Sequence, residues 1–182
     1  MYISMIAVNT QDSYEQHQAI WSLFPNAPDR KRDHLFRVES VMPDGQVNIL
    51  LQSTTEPKSS NKARVVQAKL FQPQINAESF YKFKILAYPT KCQSKGKKVL
   101  EIRDENEQIA WLQRKLEGAN VTVTALEPHL VKSRKTFNSR FVCFEGVMQV
   151  VNEEQIYRAL VMGVGRKKHA GAGLLSLAIQ RG

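Results

Sequence analysis

The pattern of apolar and polar positions divides the chain into two successive sets of elements. Residues Tyr2 to Val8 are rich in β-forming side chains and predict a strand. Asp12 and Ser13 then offer an N-cap, with Gln16 three residues beyond Ser13, and open a helix that runs to about Phe24. Pro25-Asn-Ala-Pro28 stops it, because proline can neither donate a main-chain hydrogen bond nor continue the turn. Two alternating segments follow, His34 to Ser40 and Gln46 to Gln52, and Met42-Pro-Asp-Gly45 between them has the composition of a turn, so they predict a hairpin. A Ser/Thr/Lys loop from Ser53 to Ala63 leads into a strand over Arg64 to Phe71, preceded by a poor or very short helix.

The second set repeats the first in architecture and not in sequence. Phe80 to Ala87 predicts a strand with Lys82 and Lys84 on one face, and Glu105 to Glu117 a helix with Ile109, Leu112 and Leu116 on one stripe. Acidic Glu105 and Glu107 at its start, basic Arg114 and Lys115 at its end and Gly118 beyond suit the helix dipole and a glycine C-cap. Val121 to Leu126 and Phe141 to Val151 predict strands, the second turning Val142, Phe144, Met148 and Val150 inward. Asn152 with Gln155 caps a helix through Val161 that ends at Gly163, and Gly171 to Ile179 closes the set as a strand. Strand, helix, strand, strand, weak helix, strand is the order of a ferredoxin-like, RRM-like βαββαβ domain. The expected fold is therefore α+β, two tandem ferredoxin-like domains over residues 1–76 and 77–182, joined near Gln74 to Glu78. A single larger mixed sheet is the alternative.

Composition narrows the function. A chain of 182 residues with 42% hydrophobic residues can build a packed core, and a formal charge of +9 concentrates nucleic acid or anionic membrane around it. No stretch approaches the ~20 apolar residues of a membrane span and Met1-Tyr-Ile-Ser-Met-Ile-Ala-Val8 has no basic leader, so a soluble, cytoplasmic protein with no membrane partner is expected. Cys92 and Cys143 stand far apart and form no Cys-x-x-Cys, which indicates neither a disulfide framework nor a zinc site.

The cations are clustered. Between Lys58 and Lys98 ten of them face the single acid Glu78, and Lys132, Arg134, Lys135 and Arg140 line a stretch without acid between two predicted strands, where a basic hairpin could enter a groove. Gly163-Val-Gly-Arg-Lys-Lys-His-Ala-Gly-Ala-Gly173 concentrates four glycines, three cations and His169 in eleven residues. Gly163, Gly165, Gly171 and Gly173 permit positive φ and close approach of another backbone, while Arg166, Lys167 and Lys168 suit phosphate. The spacing is that of neither familiar phosphate loop, so no nucleotide cofactor is expected. Phe141 and Phe144, three apart in a strand, are not a stacking platform, and Phe144 belongs to a core.

Among the four histidines, His17 shares one helix face with Tyr14, Trp21 and Phe24. Such a ring can be a hydrogen-bonded structural histidine, or it can act with Tyr14 on a reacting group, the imidazole transferring protons near neutral pH and the phenol hydrogen-bonding. The acid pairs lie at helix starts, so no metal site is indicated. RNA needs none, because its 2′-hydroxyl is the nucleophile and cleavage requires only proton transfer, cations for the phosphorane and an in-line geometry.

Tyr14-Glu-Gln-His17, Ile20-Trp-Ser-Leu-Phe-Pro-Asn26, Arg32-Asp-His-Leu-Phe-Arg37, Gln108-Ile-Ala-Trp-Leu-Gln-Arg-Lys-Leu116, Val142-Cys-Phe-Glu-Gly-Val147 and Gly171-Ala-Gly-Leu-Leu-Ser-Leu-Ala178 together resemble the CasE family of CRISPR-associated endoribonucleases, subunits of type I-E Cascade complexes. The resemblance runs from Met1 to about Ala178. It implies two ferredoxin-like domains and metal-independent cleavage in the repeat of CRISPR precursor RNA, leaving a 5′-hydroxyl and a 2′,3′-cyclic phosphate or its opened form. It also implies retention of the repeat hairpin as crRNA beside other Cascade subunits. The family's catalytic histidine and tyrosine fall on His17 and Tyr14, its glycine-rich loop on Gly163 to Gly173 and its basic hairpin near Lys132 to Arg140. Where the family usually reads Arg-x-Arg-Ala-Asn-Pro, this chain has Lys82-Phe-Lys84 and then Ala87-Tyr-Pro89, which keeps charge and loses the forked guanidinium. Ala172 stands where cysteine is common. Lys82, Lys84 and Lys91 join the hairpin and loop cations as expected RNA contacts, while Lys31 and Lys168 are candidates for the charge-stabilising cation. A non-catalytic RNA-binding subunit is the competing reading, and a basic ribosome-associated protein leaves the Tyr14/His17 pair unexplained.

Overall fold

The computed structural model describes residues 1–93 and 98–179; Lys95 and Lys97 of the first basic run lie outside the described residues. The chain divides into two compact units. Unit 1 comprises Met1–Gln72, Val131–Asn138 and Lys168–Gly171, and unit 2 comprises Pro73–Leu130, Ser139–Lys167 and the chain from Ala172 on.

Unit 1 holds β1 (Tyr2–Val8), α1 (Ser13–Trp21), β2 (His34–Val41), β3 (Val47–Ser53) and β4 (Ala63–Leu70). The sheet order is β2-β3-β1-β4 with antiparallel neighbours, the order of a ferredoxin-like sheet. Its core packs Ile6, Val8, Phe36, Val47, Ile49 and Leu51 of the sheet against Ala19, Ile20, Leu23 and Phe24. The β2–β3 turn closes as its composition predicts: Gly45 takes φ 85° and Asp44 Oδ1 accepts from the Gln46 N–H at 2.9 Å.

Three expectations for unit 1 are corrected. No helix lies between β3 and β4; residues 54–62 are a loop, because Ser59 and Ser60 hydroxyls accept from main-chain N–H groups of Lys62, Ala63 and Val65 and so compete with helical bonding. The helix ends at Trp21, and Leu23 and Phe24 donate to Ile20 and Trp21 in a tighter turn that still delivers both side chains to the core. Gln16 forms no capping box, since its Nε2 donates to the Thr10 carbonyl at 3.0 Å.

Unit 2 repeats the order with β5 (Phe80–Ala87), α2 (Glu105–Lys115), β8 (Ala119–Val131), β9 (Ser139–Val150), α3 (Glu153–Met162) and β10 (Leu175–Ile179), in a sheet ordered β10-β5-β9-β8. Two short strands, β6 (Thr90–Cys92) and β7 (Val99–Glu101), pair between β5 and α2. Val142, Phe144, Met148 and Val150 are buried as the alternation predicts. Gly146 interrupts their face because a Cβ there would lie 2.0 Å from the Thr122 carbonyl oxygen. In α2 the inward stripe is Gln108, Trp111, Leu112 and Leu116, and Ile109 is 36% exposed, because Trp111 offers the larger apolar area to the core. Gly118 does not close α2 with a positive φ; Leu116 is the C-cap, and Gly118 is small because Gln155 packs where its Cβ would be. The last strand starts at Leu175, as Gly171 and Gly173 hold φ 93° and 94°, outside strand geometry. No described helix is long and apolar enough to cross a membrane.

Candidate functional site

Asp12 organises the site in unit 1. Its Oδ1 caps α1 by accepting from the N–H groups of Tyr14 and Glu15, both at 3.1 Å, and its Oδ2 accepts from the N–H of Arg134 at 2.7 Å. The Ser13 N–H donates to the Lys132 carbonyl at 3.1 Å, and the Arg134 guanidinium pairs with Glu15. One capping carboxylate thus anchors both the helix and a segment 122 residues further on. That segment brings Lys135 to Tyr14: its Nζ lies 3.3 Å from the phenol oxygen and 4.5 Å from the ring centroid. Gln18 Nε2 approaches the same oxygen at 3.1 Å.

One turn on, His17 is half-buried, edge-on to Trp21 at 6.2 Å and to His169 at 6.1 Å between centroids. Burial, then the charges of Arg32 and His169, lower its pKa below 6.5, while a hydrogen bond to the His169 main chain pulls the other way. The ring is therefore neutral at pH 7. Its Nδ1 is buried without a hydrogen-bond partner among the described residues.

Behind His17 lies a tight aromatic and charged packing. His34 is buried, stacked on Phe24 at 5.1 Å and edge-on to Trp21 at 5.2 Å. Burial is the main reason its pKa falls to about 4; Asp33 opposes the shift, and Arg32, Arg30 and His17 add to it. The Arg30 guanidinium lies over Phe24 and Trp21, 4.2 and 5.3 Å from their centroids, and pairs with Asp33. Burial works against the Asp33 carboxylate, but hydrogen bonds from Thr54 and Thr55 and the charge of Arg30 outweigh it and hold the pKa below the ordinary value. Of the expected face, Tyr14, His17 and Trp21 lie on α1 away from its buried stripe, Ser13, Gln16, Ala19 and Ile20, whereas Phe24 falls past the helix end and joins the core with Leu23. A histidine displaced from the core stripe keeps one side open to solvent.

The glycine stretch contributes to unit 1 through a 3₁₀ turn, Lys168–Ala170, which packs against α1 and β2. Gly171 ends it at φ 93°, and a Cβ there would lie 3.0 Å from the Phe36 ring, so only glycine lets the turn sit so close. In unit 2, Gly163 and Gly165 also take positive φ, 73° and 78°.

The expected cations separate by environment. In unit 1, Lys132, Arg134 and Lys135 are exposed beside the start of α1, and Lys168 lies in the 3₁₀ turn. In unit 2, Lys82, Arg140 and Arg166 are exposed, Lys84 pairs with Glu145 at 3.1 Å and Lys91 with Glu107 at 2.6 Å. Lys167 Nζ is 2.5 Å from Ser139 Oγ and 4.9 Å from the Tyr88 ring centroid. Sequence reasoning assigned no role to Arg32, which acts electrostatically on His17, or to Phe137, 94% exposed beside the Lys135 segment. It assigned phosphate binding to the stretch around His169, which the structure places against His17.

An imidazole kept neutral, a phenol oxygen approached by two donors and a set of exposed cations fit proton transfer at a phosphate. Residues 2–178 match the family model described as CRISPR associated protein. The chain is 34% identical over 200 residues to CRISPR system Cascade subunit CasE of Escherichia coli, covering 98% of this chain and 99% of that protein. It is 29% identical to CRISPR-associated endoribonuclease Cse3 of Thermus thermophilus, over 91% of this chain and 89% of that one. The structure of Thermus thermophilus Cse3 bound to an RNA representing a pre-cleavage complex superposes with a TM-score of 0.83 at 25% identity, over 98% of this chain and 100% of that one. With the family model covering nearly its whole length, the chain belongs to the CRISPR-associated CasE family.

Proposed function

We propose that this protein is an endoribonuclease that binds the repeat hairpin of CRISPR precursor RNA, cleaves it without a metal ion and stays with the product crRNA as a Cascade subunit. His17 takes the proton of the 2′-hydroxyl. The 2′-oxygen attacks the adjacent phosphorus, the bond from phosphorus to the 5′-oxygen breaks, and the departing oxygen is protonated from water. The products are a 2′,3′-cyclic phosphate and a 5′-hydroxyl. Tyr14 hydrogen-bonds the phosphate, and the exposed cations of both units hold the RNA backbone, with no cofactor. The observation that carries this reading is the half-buried His17, whose pKa is lowered chiefly by burial, one helical turn from Tyr14. A neutral imidazole near pH 7 is the form a general base requires.

The test is incubation of the purified protein with labelled repeat RNA. Cleavage in excess EDTA is expected, together with complete resistance when the nucleotide before the cut carries deoxyribose. Cutting of the deoxyribose substrate, or inhibition by EDTA, would contradict the scheme. Tight hairpin binding with no product from the unmodified RNA would favour a non-catalytic RNA-binding subunit.

A further inference from the structure

Water is a weak proton donor for a departing 5′-oxygen, and a second imidazole stands close to His17. We infer that His169 gives the 5′-oxygen its proton in place of water, a role that rests on the endoribonuclease reading with His17 as the base. The His169 ring lies 6.1 Å from that of His17 between centroids, with the two planes 87° apart. When a nitrogen of each ring is within hydrogen-bond reach of an oxygen, about 3 Å, that spacing brings both rings to a single phosphate group. Ring nitrogens form their bonds in the ring plane, so rings at right angles aim them along different lines. An in-line displacement presents two oxygens to such a pair, the attacking 2′-oxygen and the departing 5′-oxygen, on opposite sides of phosphorus.

The turn that carries His169 is fixed against α1. The Gly171 N–H donates to the Lys168 carbonyl at 3.3 Å, the φ of 93° at Gly171 lets the turn settle on Phe36, and the His17 ring hydrogen-bonds the His169 main chain. The two rings differ in environment, as His17 is half-buried beside Trp21 and His169 is exposed. Burial disfavours an imidazolium, and two like charges this close disfavour double protonation, so a pair with one added proton holds it on His169. His17 is then the neutral member and His169 the one with a proton to give. Arg32 and Lys168 are the cations about the pair, and His34 is buried and neutral at pH 7. The nearby carboxylates are engaged elsewhere, Glu15 with Arg134, Asp33 with Arg30 and Glu39 with Arg37. In cleavage the 2′-proton passes to His17 and the 2′-oxygen bonds phosphorus. The bond from phosphorus to the 5′-oxygen breaks, and the His169 proton goes to that oxygen. Exchange with water then returns both rings to their starting forms.

Repeat RNA with sulfur in place of the 5′-oxygen at the scissile phosphate separates acid from base. A thiol, with an ordinary pKa of about 8.5, departs as the thiolate and needs no proton donor. Single-turnover cleavage at saturating protein is measured on the oxygen and the sulfur substrate. His169→Ala and His169→Gln are each expected to slow the oxygen substrate about 100-fold and the sulfur substrate less than about threefold. His17→Ala, which lacks the base, should slow both. On the oxygen substrate the wild-type rate should fall as pH rises and His169 loses its proton. That descending limb should be absent in His169→Gln, and absent for the wild type on the sulfur substrate. Equal losses on the two substrates would make His169 a structural or RNA-contacting residue and overturn the inference, as would an unchanged rate on the oxygen substrate in either His169 variant. No cleavage of either substrate by the unaltered protein would overturn the endoribonuclease reading as well, so the failures are distinguishable.

Discussion

Units 1 and 2 have the same strand order, yet among the described residues seven of the nine buried polar side chains, Ser4, Ser13, Gln16, His34, Arg37, Gln52 and Ser53, lie in unit 1 and Gln108 and Ser139 in unit 2. Among the described residues, shifted titrations at His17, Arg32, Asp33 and His34 belong to unit 1 and that of Tyr88 to unit 2. Unit 2 covers its sheet with two helices, whereas unit 1 has one helix and a serine-held loop in place of the other. A repeated fold therefore need not repeat its chemistry. Burying polar groups has a desolvation cost that their partners must offset, and such costs are tolerated where a reactive environment results.

Acid should separate the two units most strongly. His34 has a folded pKa of about 4 against an ordinary 6.5, so its contribution is fully present above pH 6.5 and is lost as pH falls toward 4. At 1.36 kcal/mol per unit the loss is about 3 kcal/mol, and it falls on unit 1. Each unit carries one tryptophan, Trp21 in unit 1 and Trp111 in unit 2. Urea titrations followed with Trp21→Phe and Trp111→Phe variants at pH 7 and pH 4.5 should show a lower midpoint for unit 1 at the acid pH and a smaller change for unit 2. Equal shifts in both reporters would erase the contrast.

A smaller effect should come from Arg32, whose charge is the second cause lowering the His17 pKa. Arg32→Ala leaves burial, the first cause, in place. The acidic limb of the cleavage rate should therefore move to higher pH without reaching that of an exposed histidine. A limb that moves down, or stays where it was, would mean that Arg32 does not act on His17 in solution.

Much of the fold was legible in the sequence because the relevant signals are local. The strands from Tyr2 to Val8 and from Phe80 to Ala87, and the Asn152 cap with Gly163 as terminator, follow from side chains within a few residues of each other. The missing helix over residues 54–62 was not legible, since Ser59 and Ser60 read equally as loop or as helix start until their hydroxyls find main-chain partners. At the site, Tyr14 and His17 are one helical turn apart and their shared face could be read directly. Lys135 and Arg134 were legible as cations but not as neighbours of α1, because the link runs through Asp12 across 122 residues and no periodicity reports it. His169 was visible among the glycines, yet its place beside His17 depends on the φ of Gly171 and the gap it leaves for the Phe36 ring.

The chemistry assigned to unit 1 stands or falls with His17 as the group that takes the proton. The decisive measurement is His17→Ala, followed by single-turnover cleavage of repeat RNA at saturating protein and by equilibrium binding of the same RNA. The expected result is a loss of about 10²- to 10⁴-fold in cleavage, the usual contribution of general acid–base catalysis, with affinity changed less than about threefold. Cleavage at the wild-type rate would contradict the assignment, and a parallel loss of affinity and rate would make His17 a binding residue.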